Sequence, residues 1–160
     1  MGKILVLKDA DFSQNGIEPT TTWYIDRCQS NSLLDANRVN GGWAFHIEDN
    51  ALLQNKPINR IKMIPSKVGV MNIYKTSNLT GPVTLVASFN ITSDQLNVIT
   101  EFPINTFELN SNEFFVLGEA NNVSGFKYTT AFGTGFYSRI PSNPQSGGVY
   151  DLNISIGYKG

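Results

Sequence analysis

The residues able to do acid–base or nucleophilic chemistry are few in this 160-residue chain, and their spacing speaks against most such chemistry. His46 is the sole histidine. It stands two residues before Glu48 in Trp43–Glu48 (WAFHIE), so on a strand both point outward to one face. A hydrolase triad also needs a nucleophile, and no G-x-S-x-G elbow supplies one. Cys28 is the single cysteine, which excludes a disulfide framework or a cysteine metal site and leaves a small, half-buried thiol. Glycoside hydrolysis needs two facing carboxylates, but nothing in the spacing of Glu48, Asp49, Glu101, Glu108, Glu113 and Glu119 selects a pair. Calcium wants several oxygens on one loop. Glu48-Asp49-Asn50 lacks that spacing and reads as a solvated turn. Phosphate loops and zinc spacings are absent. The expectation is no enzyme, no cofactor and no metal.

Sugar contact asks for different parts: aromatic faces against C–H surfaces, and amide, carboxylate or backbone groups against hydroxyls. Trp23, Tyr24, Trp43, Phe126, Tyr128, Phe136 and Tyr137 supply the aromatics, beside abundant Asn. Trp43, at a strand start, and Phe126 with Tyr128, on one strand face, suit inward packing. Tyr24 and Tyr137, on faces opposite expected core residues, are the candidate glycan contacts.

The composition points the same way. Charged residues make up 16% of the chain, against a usual quarter or so. Polarity comes instead from 18 Asn, 13 Ser and 12 Thr, alongside 18 aromatics. That mixture excludes coiled coils and helical bundles, while the apolar content excludes disorder. Net charge is −1, and the densest basic stretch is Arg60, Lys62 and Lys67. Nucleic-acid binding needs a clustered positive surface and is not expected. No apolar window approaches a membrane span, and the start resembles neither a signal peptide nor a myristoylation site. Folding in the cytoplasm that makes the chain is expected. Sequons at Asn78, Asn90, Asn122 and Asn153 are chance matches in so Asn-rich a sequence.

The elements that would position these residues are short strands. Lys3–Lys8, Thr20–Arg27, Trp43–Glu48, Ile58–Ile64, Gly69–Lys75, Glu113–Gly118, Gly125–Thr130, Gly135–Arg139 and Val149–Tyr158 read as strands. So does Val83–Ile91, with Val83, Leu85, Ala87, Phe89 and Ile91 on one face. In Val149–Tyr158, Tyr150, Leu152, Ile154, Ile156 and Tyr158 share a face. Ser30–Arg38 is the best helix candidate, at about two turns. Thr92–Phe102 either caps a short helix at Ser93-Asp94 or alternates as a strand, and the strand is favoured. About nine or ten strands with turn signals between them predict an all-β fold. It is an antiparallel β-sandwich or jelly roll with at most one short helix, forming a single domain over residues 1–160.

Three stretches carry a resemblance together. Lys3-Ile4-Leu5-Val6-Leu7-Lys8-Asp9-Ala10-Asp11-Phe12-Ser13 resembles the "K-D-A-D-F-S" start of many proteins from phages and prophages of Bacteroides-type gut bacteria. Ile58–Lys75 is similar to a jelly-roll hairpin common in their fibre proteins, in which "G-x-x-x-I-Y-K" follows a strand of the INRIKMI type. Phe107–Gly118 is like an "F-x-L-x-x-G-E-Y-L-x-F-G" strand pair, with Asn112 in place of the usual Gly. Asn tolerates the left-handed turn such a position asks for. The resemblance implies a virion-associated jelly roll of the crAss-like phage type, without catalytic residues. A head-fibre, tail-fibre or decoration component is expected, trimeric and located in the virion.

Residues 1–19 would be an attachment strand and loop, with Lys3, Ile4, Leu5, Val6, Leu7, Asp11 and Phe12 as the assembly segment. Expected partners are further copies of the chain and other virion proteins, with no nucleic acid and no membrane. A surface rich in Asn, Ser and Thr suits self-association, because few long charged side chains must be desolvated. The alternative is a carbohydrate-binding module for bacterial surface polysaccharide, with host glycan as partner.

Overall fold

A computed structural model describes residues 16–30, 33–35, 44–46, 50–78, 82–119, 125–129 and 151–160. In chain order the strands are β1 (Thr22–Asp26), β2 (Leu33–Asp35), β3 (Ala44–His46), β4 (Pro57–Met63), β5 (Pro65–Lys67) and β6 (Gly69–Thr76). They continue as β7 (Thr84–Ile91), β8 (Thr100–Glu108), β9 (Phe114–Glu119), β10 (Gly125–Thr129), β11 (Asp151–Leu152) and β12 (Ser155–Tyr158). Among the described residues the only helices are 3-10 turns, at Asn50–Leu52 and Ser93–Gln95. All-β is therefore the fold class.

Two four-stranded antiparallel sheets carry the architecture, ordered β1-β12-β4-β8 and β3-β9-β6-β7. The pairing is nested along the chain. β6 pairs with β7, β4 with β8, β3 with β9 and β1 with β12, alternately in one sheet and the other. A single long hairpin rolled over itself gives this order, which is the jelly roll. β10 forms a small third sheet with β2, β11 and β5. The 3-10 turn between β7 and β8 lies beside it, since the Asn97 N–H donates to the Pro65 carbonyl at 2.8 Å.

The core lies between the two large sheets. Ile58, Ile61 and Met63 of β4 and Ile156 of β12 face Met71 and Ile73 of β6 and Phe115 and Leu117 of β9, all fully buried. Ring pairs span the gap: Phe89 stacks on Phe102 at 4.4 Å, and Phe107 on Phe115 at 6.4 Å. Each buried aliphatic or aromatic chain contributes about 1.5–3 kcal/mol.

Several sequence expectations are corrected. Leu33–Asp35, inside the expected helix Ser30–Arg38, is strand β2. Thr92–Phe102 is not one strand. Thr92 and Gln95 close a turn, with the Thr92 N–H donating to Gln95 Oε1 at 2.8 Å, and β8 begins only at Thr100. Leu85 leaves the buried face of β7 and is 54% exposed, whereas Ala87, Phe89 and Ile91 keep to it. The reason is a bulge: Ile73 pairs with Ala87 but Tyr74 pairs with Leu85, leaving Val86 as the extra residue.

The expected last strand breaks between β11 and β12, where Asn153 and Ile154 are buried. β8 runs through Pro103 to Glu108, beyond the expected end, because it is a sheet edge where a missing N–H costs no ladder bond. Lys3–Lys8 and Gly135–Arg139 lie outside the described residues.

β12 is the tightest place in the fold. Ser155, Ile156 and Gly157 are all buried, so the strand is covered on both faces. A Cβ on Gly157 would lie 2.2 Å from the Thr22 carbonyl oxygen and 2.9 Å from Trp23 Cε3. Backbone cannot yield there as a flexible side chain would. Gly157→Ala is expected to destabilise the protein by about 1–3 kcal/mol, measured by denaturant unfolding. An unchanged midpoint would show that β1 does not press on β12.

Candidate functional site

Sheet β1-β12-β4-β8 carries two different aromatic environments, separated by one extra residue in β1. Trp23 pairs with Gly157 and Ile25 with Ile156, so Tyr24 is a bulge. Simple alternation would put Trp23 and Ile25 on one face. The bulge instead leaves Ile25 in the core and sends Trp23 to the outer face, over Gly157.

On that outer face the charges are paired. Lys62 donates to Asp26 at 2.9 Å and stands over the Trp23 ring, 4.5 Å from its centroid. Asp26 also accepts from the Ser155 hydroxyl at 2.6 Å. The Ser155 bond, then Lys62, hold the Asp26 carboxyl below its ordinary range. Arg60 meets Glu101 at 3.2 Å, and the Thr21 hydroxyl donates to Glu101 at 3.3 Å. Two of the three residues of the densest basic stretch are thus matched by carboxylates.

Tyr24 lies at the end of the sandwich where β1 starts and β4 begins. Half-buried, it packs against the core, and Lys56 Nζ stands 5.0 Å from its ring centroid. Burial, with Tyr158 and Glu108 nearby, pushes its phenol up from the ordinary tyrosine value. The strand register explains the grouping. Lys56 precedes Pro57, which pairs with Glu108, while Tyr158 pairs with Thr22. Leu52, 46% exposed, lies alongside, its carbonyl accepting from Lys56 Nζ at 2.9 Å.

The end is held by a polar clip between the β3–β4 and β8–β9 connections. Buried Asn50 accepts from the Phe115 N–H at 2.8 Å through Oδ1 and donates to the Glu113 carbonyl through Nδ2. The Asn55 N–H donates to the Leu109 carbonyl at 2.7 Å, with Asn55 at φ 56. The Glu113 carboxylate accepts from the Asn110 N–H at 2.7 Å and from Lys75 at 3.1 Å. The Asn110 bond, followed by Lys75, holds its carboxyl below the ordinary range despite partial desolvation.

Of the residues singled out from sequence, Tyr24 is brought together with Tyr158, Lys56 and Glu108. Tyr137, and the assembly segment Lys3, Ile4, Leu5, Val6, Leu7, Asp11 and Phe12, lie outside the described residues. His46 pairs with Val116 through β3, and Glu48 and Asp49 fall outside the described residues. Cys28 is half-buried, and burial pushes its thiol up to about 11, far from a reactive thiolate. Asn153 is fully buried and hydrogen-bonded, so the folded chain cannot carry a glycan there. No group of three or more metal-ligating side chains occurs among the described residues.

Sequence reasoning missed Tyr158, Lys56 and Glu108 as companions of Tyr24. Only the nested strand pairing joins positions so distant in the chain. Compared with protein-family models, curated proteins and solved structures, the chain matches none.

The clip gives a pH dependence with a definite sign. Glu113 has a depressed folded pKa, so its contribution is present above the unfolded glutamate value and is lost as pH falls through the folded one. Stability should therefore decline on acidification below about pH 4.3, and Glu113→Gln should reduce that decline. Equal acid sensitivity in wild type and Glu113→Gln, followed by thermal unfolding, would exclude the clip as its source.

Proposed function

We propose that the chain is a non-enzymatic structural protein of a bacteriophage virion, a head-fibre, tail-fibre or decoration component. Its jelly roll would self-associate, as a homotrimer, and dock on the particle after folding in the host cytoplasm. The observation that carries this reading is the rolled two-sheet architecture, one used by viral capsid domains and lectins. A fold alone does not name a function, so the resemblance of its three segments to phage fibre proteins supplies the rest.

The side chains are compatible with that role. Asp26, Glu101 and Glu113 are engaged in ion pairs that hold the sheet face and the end clip. The pairing of Arg60 and Lys62 with carboxylates disfavours a nucleic-acid partner. The edges are guarded against strand-to-strand growth. β1 and β7 carry bulges, β8 carries Pro103, and β3 is three residues long. Association would therefore use faces, ends or the N-terminal segment 1–19.

A second reading, a module for bacterial surface polysaccharide, is favoured by one observation. Tyr24, Tyr158, Lys56 and Glu108 share one end of the sandwich.

Light scattering on the purified chain should give the mass of a trimer, and a monomer across the accessible concentration range would contradict self-association. Deleting residues 1–12 should leave a folded domain that no longer enters particles. Unchanged incorporation would contradict attachment through that segment.

A further inference from the structure

We infer that the Tyr24 end of the sandwich binds a neutral pyranose unit of a polysaccharide, with Tyr24 and Tyr158 as packing surface, Glu108 as hydroxyl acceptor and Lys56 as hydroxyl donor. The inference rests on the glycan reading above and deepens it.

Three features single out this end. First, its carboxylate is available. Glu108 is exposed and makes no ion pair with a described residue, whereas Glu18, Asp26, Glu101 and Glu113 each do. Second, the apolar and polar parts are adjacent. Lys56 stands over the Tyr24 ring at 5.0 Å, and Leu52 adds an exposed aliphatic surface one turn away. Third, the positions are fixed from beneath by backbone. Pro57 pairs with Glu108 and Thr22 with Tyr158, while the Asn59 side chain exchanges two hydrogen bonds with the Lys159 main chain, at 2.8 and 3.0 Å. A site set on paired strands loses little freedom when it binds.

The ligand class follows from the charges. Beside the Lys159–Glu18 and Lys75–Glu113 pairs, Lys56 and Glu108 add one ammonium and one carboxylate, which leaves no net preference for an anion or a cation. A sugar hydroxyl both donates and accepts, and so can use each of them. Tyr faces take the C–H surface of a ring. The outer face around Trp23 is the weaker competitor, because its cations and carboxylates already satisfy one another.

The test is titration of the full chain with soluble glucans, mannans and galactans, followed by NMR of the tyrosine ring signals. Glu108→Gln and Lys56→Met, both on surface side chains, are compared with wild type, and Val98→Thr, at an exposed residue beside the Ser93–Gln95 turn, serves as the control outside the site. The expected result is that at least one neutral polysaccharide binds, shifts the Tyr24 and Tyr158 signals, and binds about tenfold or more weaker to Glu108→Gln. Val98→Thr should stay within about threefold. If wild type binds but Glu108→Gln and Lys56→Met bind equally well, the site is wrong while the glycan reading stands. If wild type binds none of the polysaccharides, the glycan reading fails and the site with it.

Discussion

The fold depends on inserting its last strand between its first and its fourth. β12 is four residues long and central in its sheet, flanked by β1 and β4 and buried on both faces. Until it is in place, β1 has no partner in that sheet and the outermost layer of the rolled hairpin stays open. Gly157 is the residue this demands. Only a glycine lets the Thr22 carbonyl and the Trp23 ring come down onto β12. Ile156 fills the core beneath, and Ser155 holds Asp26 and the Cys28 N–H above.

Asparagine has a structural use here that composition alone does not reveal. Three side-chain amides act as short pieces of strand, each giving one hydrogen bond to a backbone carbonyl and taking one from an N–H. Asn153 does so with Gln29, Asn59 with Lys159, and Asn50 with Glu113 and Phe115. Asn153 and Asn50 are buried, and both amide ends are satisfied, which is the condition for burying such a group. Asn55 and Asn97 use the other property of the residue and take left-handed backbone at turns. The scarcity of charge and the wealth of Asn thus reflect how chain crossings are fastened as well as what the surface offers.

Alternation of apolar residues was a sound guide wherever the ladder was regular. β6 as far as Ile73 and the second half of β7 follow it, with Met71, Ile73, Ala87, Phe89 and Ile91 on the buried face, whereas β9 is buried on both faces from Phe115 to Gly118. It failed where one strand carries an extra residue. The bulge at Tyr24 exchanged the expected sides of Trp23 and Tyr24, and the bulge at Val86 turned Leu85 outward. A bulge answers to the partner strand, so the local sequence does not announce it. Pro103 hid the second half of β8, because proline is forbidden only in strands paired on both sides. Tyr24 stood out in the sequence as an aromatic for the proposed contact. Tyr158, Lys56 and Glu108 were not, since their neighbourhood exists only through the nested pairing.

That pairing also links scaffold to site. Tyr158 is the last residue of β12 and Tyr24 the bulge of β1, so the end of the sandwich forms only if β12 is seated. Native-state hydrogen exchange at the amides of β12 tests this most directly. The account predicts that they open only with global unfolding, at the same free energy as the amides of β4. Exchange of β12 at a markedly lower free energy, with β4 still protected, would contradict it.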